Sequence, residues 1–99
     1  MNKEQKELHL WFRKKKWPYW EPQWILARLT EEVGEFARAV NYEFGPKKNK
    51  NDEHASGLED ELGDILYTLA CFANAHGINL DNAMEKSIKK VQLRDKNRF

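Results

Sequence analysis

A chain of 99 residues makes one domain and has no room for a cofactor domain beside a substrate domain. With 40% hydrophobic, 12% aromatic and 33% charged residues it can build a modest core under a heavily solvated surface, and three Pro and five Gly are too few for the strand-and-turn rhythm of a sandwich or barrel. Seventeen Lys plus Arg against sixteen Asp plus Glu leave a net charge of +1, so bulk electrostatics disfavours nucleic acid or a membrane surface as partner.

Cys71 is the single cysteine, which excludes an intramolecular disulfide framework and a multi-cysteine zinc site within one chain. Neither a signal-peptide pattern nor a run of about 18 apolar residues is present, and a soluble cytoplasmic protein is expected.

In chain order, Lys3 to Lys16 carries Leu8, Trp11 and Phe12 at helical spacing, which predicts a short amphipathic helix ending before Trp17-Pro18. The basic run Arg13 to Lys16 suits the helix dipole and solvation better than a nucleic-acid patch. Trp17 to Pro22 reads as an aromatic connector, and its rings are expected mainly to cover the end of a small core.

From Pro22 a second helix runs to about Phe44, with Leu26, Leu29, Val33, Phe36, Ala37, Val40 and Phe44 as its apolar stripe, and Gly45-Pro46 stops it. Residues 46 to 55 have no apolar periodicity and are expected to form a mobile loop. Ser56-Gly57-Leu58-Glu59 has capping-box spacing and opens a third helix that continues to His76, with Gly77 as its left-handed terminator. Asn79 caps a fourth helix, Leu80 to about Arg94.

The expected architecture is all-α. Four helices form one domain over 1 to 99: an N-terminal helix and connector (1 to 20), then core helices (22 to 94). The third helix is apolar nearly all round from Ile65 to Ala73, so it needs cover on every side, and a homodimer or higher oligomer is expected.

Acidic residues three apart occur on both long helices: Glu32 and Glu35 on the second, Glu61 and Asp64 on the third. Helical geometry puts each pair at the edge of its apolar stripe. Like charges at this spacing repel, and two pairs meeting across a helix interface repel far more unless a cation enters. Oxygen ligands without convergent His or Cys point to Mg²⁺, with Mn²⁺ as substitute, rather than to zinc. A ferritin-like di-iron site needs Glu-x-x-His, and His9, His54 and His76 follow Lys6, Asn51 and Ala73 at that distance. Gly34 and Gly63 sit between the two acids of each pair and cost each helix about 1 kcal/mol relative to Ala, which suggests close approach of a backbone or ligand.

Leu-Thr-Glu-Glu-Val-Gly-Glu-Phe-Ala-Arg-Ala-Val-Asn (29 to 41), Glu-Asp-Glu-Leu-Gly-Asp-Ile-Leu (59 to 66), Gly-Ile-Asn-Leu-Asp-Asn-Ala (77 to 83) and the segment from Lys90 to Arg98 together resemble the MazG-like nucleotide pyrophosphohydrolases over residues 22 to 99. The resemblance implies an all-α, Mg²⁺-dependent dimer or tetramer that cuts nucleoside triphosphates, NTP or dNTP, between the α and β phosphates. It assigns Glu32, Glu35, Glu61 and Asp64 as metal ligands; the sequence does not fix which carboxylate accepts the proton of the attacking water, and Glu35 or Glu32 is the preferred candidate. Glu31 matches an extra acid found in many members.

Lys86, Lys90 and Arg94 follow one another at i, i+4 and i+8 on the fourth helix and are the expected triphosphate contacts. Relatives often have Lys-Asn where this chain has Lys90-Val91. His9, Trp17, Trp20 and Trp24 are candidates for holding the base. The implied role is sanitising of the nucleotide pool. The alternatives are a non-catalytic helical dimer that binds a nucleotide or a protein partner, and a nucleic-acid module using Arg13 to Lys16, Lys47, Lys48 and Lys50, against which the acidic middle of the chain counts.

Overall fold

The computed structural model describes residues 1–46 and 57–96. Four α-helices make up the fold: α1 (Asn2–Lys15), α2 (Pro22–Phe44), α3 (Leu58–Ala75) and α4 (Leu80–Asp95). Among the described residues there is no strand, and the all-α class expected from the composition is the class observed. The loop expected at 46 to 55 lies outside the described residues beyond Pro46, as do Ser56 of the expected capping box, Lys47, Lys48, Lys50 and Arg98.

Local chemistry sets the helix ends. Lys16 closes α1 in the left-handed conformation (φ 57°), and the Trp17 N–H donates to the Phe12 carbonyl at 2.9 Å while Arg13, Lys14 and Lys15 face the negative end of the dipole. Pro22 opens α2 as its missing N–H requires no partner there. At the other end the Gly45 N–H donates to the Asn41 carbonyl at 2.8 Å, and a Cβ on Gly45 would collide with that same oxygen. Gly77 has φ +66°, which ends α3 in the conformation glycine adopts without strain. Asn79 caps α4, its Oδ1 accepting from the backbone N–H of Asp81 (2.9 Å) and Asn82 (3.2 Å).

The chain gathers into two compact units, Met1–Tyr19 with the chain from Ala70 onward, and Trp20–Leu69. In the first unit a buried amide takes the place of an apolar centre. Gln5, 4% exposed, donates through Nε2 to the Ile78 carbonyl (2.9 Å) and Asn74 Oδ1 (3.2 Å), and its Oε1 accepts from the Leu80 N–H (2.8 Å). Asn74 Nδ2 donates in turn to the Gln5 carbonyl (2.9 Å) and to the Tyr19 hydroxyl (3.2 Å), which lies 2.9 Å from His9 Nδ1. Buried Phe12 is sandwiched by Trp17, edge-on at 5.6 Å, and Tyr19, stacked at 4.7 Å, so part of the aromatic connector does cover a small core.

In the second unit the buried residues fall seven apart: Ile25, Glu32 and Ala39 on α2, and Glu61 and Thr68 on α3. Heptad spacing keeps a seam straight along two packed helices. This seam is rotated from the stripe the sequence predicts, since Leu26, Val33 and Phe44 are exposed while Leu29, Phe36 and Val40 are half-buried beside it. Periodicity reads where the apolar residues are, and within one chain the seam instead runs through two carboxylates. Leu62, Leu66 and Tyr67 on α3, and Met84, Ile88 and Val91 on α4, are likewise exposed.

Candidate metal centre

Glu32, Glu61 and Asp64 bring one carboxylate oxygen each to within 4.8 Å of one another. Glu32 comes from the middle of α2; Glu61 and Asp64 come from the first two turns of α3, one helical turn apart on the same side. Glu32 and Glu61 are 6% and 4% exposed, whereas Asp64 opens to solvent.

Glu61 makes neither a side-chain hydrogen bond nor an ion pair with any described residue, and its carboxylate oxygens keep only residual contact with solvent, so its charge is poorly compensated. Glu32 has one cationic partner, Arg28, whose Nε lies 2.9 Å from its Oε1 across one turn of α2. Three carboxylates with one guanidinium leave about two uncompensated negative charges, and the donors are all hard oxygens. That set fits a divalent cation of the Mg²⁺, Mn²⁺ or Ca²⁺ kind and does not suit zinc.

The fourth expected ligand is elsewhere. Glu35 does not join the cluster; it is exposed, with its Oε2 at 3.8 Å from Arg38. Glu35 stands one turn along from Glu32 and about 60° round the helix, as Asp64 does from Glu61, but its carboxylate is turned to Arg38. A Cβ on Gly34 or Gly63 would meet no described atom of this chain within 4 Å outside its own helix, so of the two close approaches expected there, none is made by a described backbone of the same chain.

Lys86, Lys90 and Arg94 are all exposed on α4, where Arg94 pairs with Asp95 (3.3 Å). Trp20 and Trp24 are exposed and meet edge to face at 6.4 Å, and neither covers a core. His9 is bound to Tyr19, and Trp17 packs on Phe12. Sequence reasoning missed Arg28, for which the available signal was its i, i+4 spacing to Glu32.

The sequence profile of the MazG nucleotide pyrophosphohydrolase domain matches residues 21–99. The chain belongs to the MazG family. It is accordingly a hydrolase acting on nucleotides. Among solved structures, this MazG chain is similar to Bacillus subtilis YpjD, with a TM-score of 0.81 and 39% identity over 96% of this chain and 95% of that one. It is also similar to the Bacillus-conserved MazG protein, a nucleotide pyrophosphohydrolase, with a TM-score of 0.77 and 37% identity over 96% and 92% of the two chains. In sequence it is 43% identical to Bacillus subtilis YpjD over 82% of this chain and 73% of the relative, and 32% identical to Bacillus subtilis YvdC over 84% of each. The acidic cluster of Glu32, Glu61 and Asp64 could hold a divalent cation. No described helix of this MazG chain is long and apolar enough to cross a membrane.

Proposed function

We propose that the protein is a Mg²⁺-dependent nucleoside triphosphate pyrophosphohydrolase that converts NTP or dNTP and water to the monophosphate and pyrophosphate, in a nucleotide-sanitising role. The observation that carries this reading is the convergence of the buried Glu61 and Glu32 carboxylates with that of Asp64. Those three side chains would hold the cation. When bound, it supplies neutralisation of the charge that builds on the phosphoryl oxygens.

The remaining work falls to the chain's own groups. Glu35, outside the cluster and open to solvent, is free to serve as the base that accepts the proton of the attacking water, with Glu32 as its competitor for that role. Lys86, Lys90 and Arg94 supply three cations from one face of α4 for the triphosphate and the leaving pyrophosphate. Trp20 and Trp24 offer exposed ring faces on which a base can stack. Leu62 and Leu66 on α3, and separately Met84, Ile88 and Val91 on α4, are exposed apolar residues at helical spacing, which supports a homodimer or homotetramer of single-domain chains.

The test is incubation of the purified protein with Mg²⁺ and a panel of NTPs and dNTPs, following monophosphate, pyrophosphate and inorganic phosphate separately, with Glu32→Gln as control. Equal amounts of monophosphate and pyrophosphate, lost in the variant, are expected. Release of inorganic phosphate, or undiminished turnover by the variant, would overturn the reading. Light scattering during gel filtration reads the oligomeric state on the same sample.

A further inference from the structure

Arg28 sits between two carboxylates on its own helix. Its Nε is 2.9 Å from Oε1 of buried Glu32, at i+4, and its Nη1 is 4.0 Å from Oε2 of exposed Glu31, at i+3. The guanidinium is itself half-exposed, so its stem can swing without disturbing packing. These three residues have unequal claims. The contact with Glu32 is the short, charge-assisted one; the Glu31 contact is at the outer limit of an ion pair and lies in solvent.

A cation entering among Glu32, Glu61 and Asp64 changes that balance. It competes for the Glu32 carboxylate and repels the guanidinium, while Glu31 remains one short side-chain rotation away. We propose that Arg28 is the removable counter-ion of the acidic cluster: it neutralises Glu32 while no cation is present and passes to Glu31 when one enters, so the pair Arg28 and Glu31 sets the affinity of the site for a divalent ion. Arg28 is then a positioning residue, and Glu31 receives a displaced side chain. This inference rests on the metal-centre reading above.

The experiment is Mn²⁺ binding to the full chain without nucleotide, by titration calorimetry and by the electron paramagnetic resonance signal of free Mn²⁺, with far-ultraviolet circular dichroism to show that each variant is folded. Removing the competing charge in Arg28→Gln should tighten Mn²⁺ about fivefold, the scale of one partly exposed ion pair. Glu31→Gln leaves Arg28 nowhere else to go and should weaken Mn²⁺ about twofold or more. In the double variant the Glu31→Gln effect should vanish, because there is no guanidinium left to receive.

Unchanged or weaker binding in Arg28→Gln would overturn the proposal and make Arg28 a brace for Glu32. Equal weakening by Glu31→Gln with and without Arg28 would overturn it in favour of a plain charge effect. A wild-type chain that binds no Mn²⁺ would instead remove the metal-centre reading itself, and the exchange with it.

Discussion

Both compact units bury polar side chains, and they treat them in opposite ways. In the unit built around α1, Gln5 has both amide ends matched by Asn74, Ile78 and Leu80. In the α2–α3 unit, Glu61 is as buried as Gln5 overall and has no hydrogen-bond or ion-pair partner among the described residues, its carboxylate oxygens keeping only residual contact with solvent, while Glu32 is half-neutralised by Arg28. A satisfied amide network fixes one packing arrangement, whereas an uncompensated carboxylate lowers stability and is retained only where something is meant to meet it. The difference separates scaffold from site without reference to any ligand.

Substituting Glu61 tests that separation most severely. Glu61→Gln should lower turnover by about 100-fold or more, since the charge that holds the cation is gone. The same variant, free of divalent ions, should melt a few degrees higher than the wild type because a buried unpaired charge has been removed, by about 1 kcal/mol. Loss of activity together with loss of stability would return Glu61 to the scaffold.

Next in size is the response to the ion. At a Mn²⁺ concentration about 100 times its Kd, binding should stabilise the wild type by about 2.7 kcal/mol and leave Glu61→Gln unmoved, read by thermal melts. Gln5→Ala should act the other way round. It strands the Leu80 N–H and the Ile78 carbonyl, destabilising the fold by about 2 kcal/mol in urea titrations, and leaves the increment from Mn²⁺ intact. A Gln5 variant that lost its Mn²⁺ response would erase the contrast between the units.

The smallest effect concerns pH at the start of α1. Asp81 is held below its ordinary value of 3.8 by the Asn2 N–H at 3.0 Å and then by the terminal ammonium of Met1. A carboxyl whose folded pKa is lowered contributes stability above 3.8 and loses it as the pH falls through its folded value. Amide exchange in the first turn of α1 should therefore quicken below that pH in the wild type and show no such step in Asp81→Asn.

The helix limits were legible because punctuation residues act locally. Pro22, Gly45, Gly77 and Asn79 each do in the structure what their chemistry predicts within four residues of themselves. The acids of the candidate site were legible for the same reason, since i, i+3 spacing is a local pattern, and three of the four converge. What escaped was everything set by tertiary rotation. A rotation of about 90° about the α2 axis puts Glu32 inside and Leu26 and Val33 outside, and hydropathy has no means of choosing an acid over a leucine for a seam. Gln5 was invisible because a lone glutamine on an amphipathic helix reads as surface, and its role exists only with Asn74 and Leu80 in place.

The bare Glu61 carboxylate also bears on how long the chain would survive in a cell. A protein that gains folding free energy from a bound ion spends less time open to proteases when the ion is plentiful, so scarcity of the ion thins the number of molecules as well as emptying the ones that remain. Catalytic capacity would then fall faster than occupancy alone, and recovery would wait on new synthesis as much as on the return of the ion.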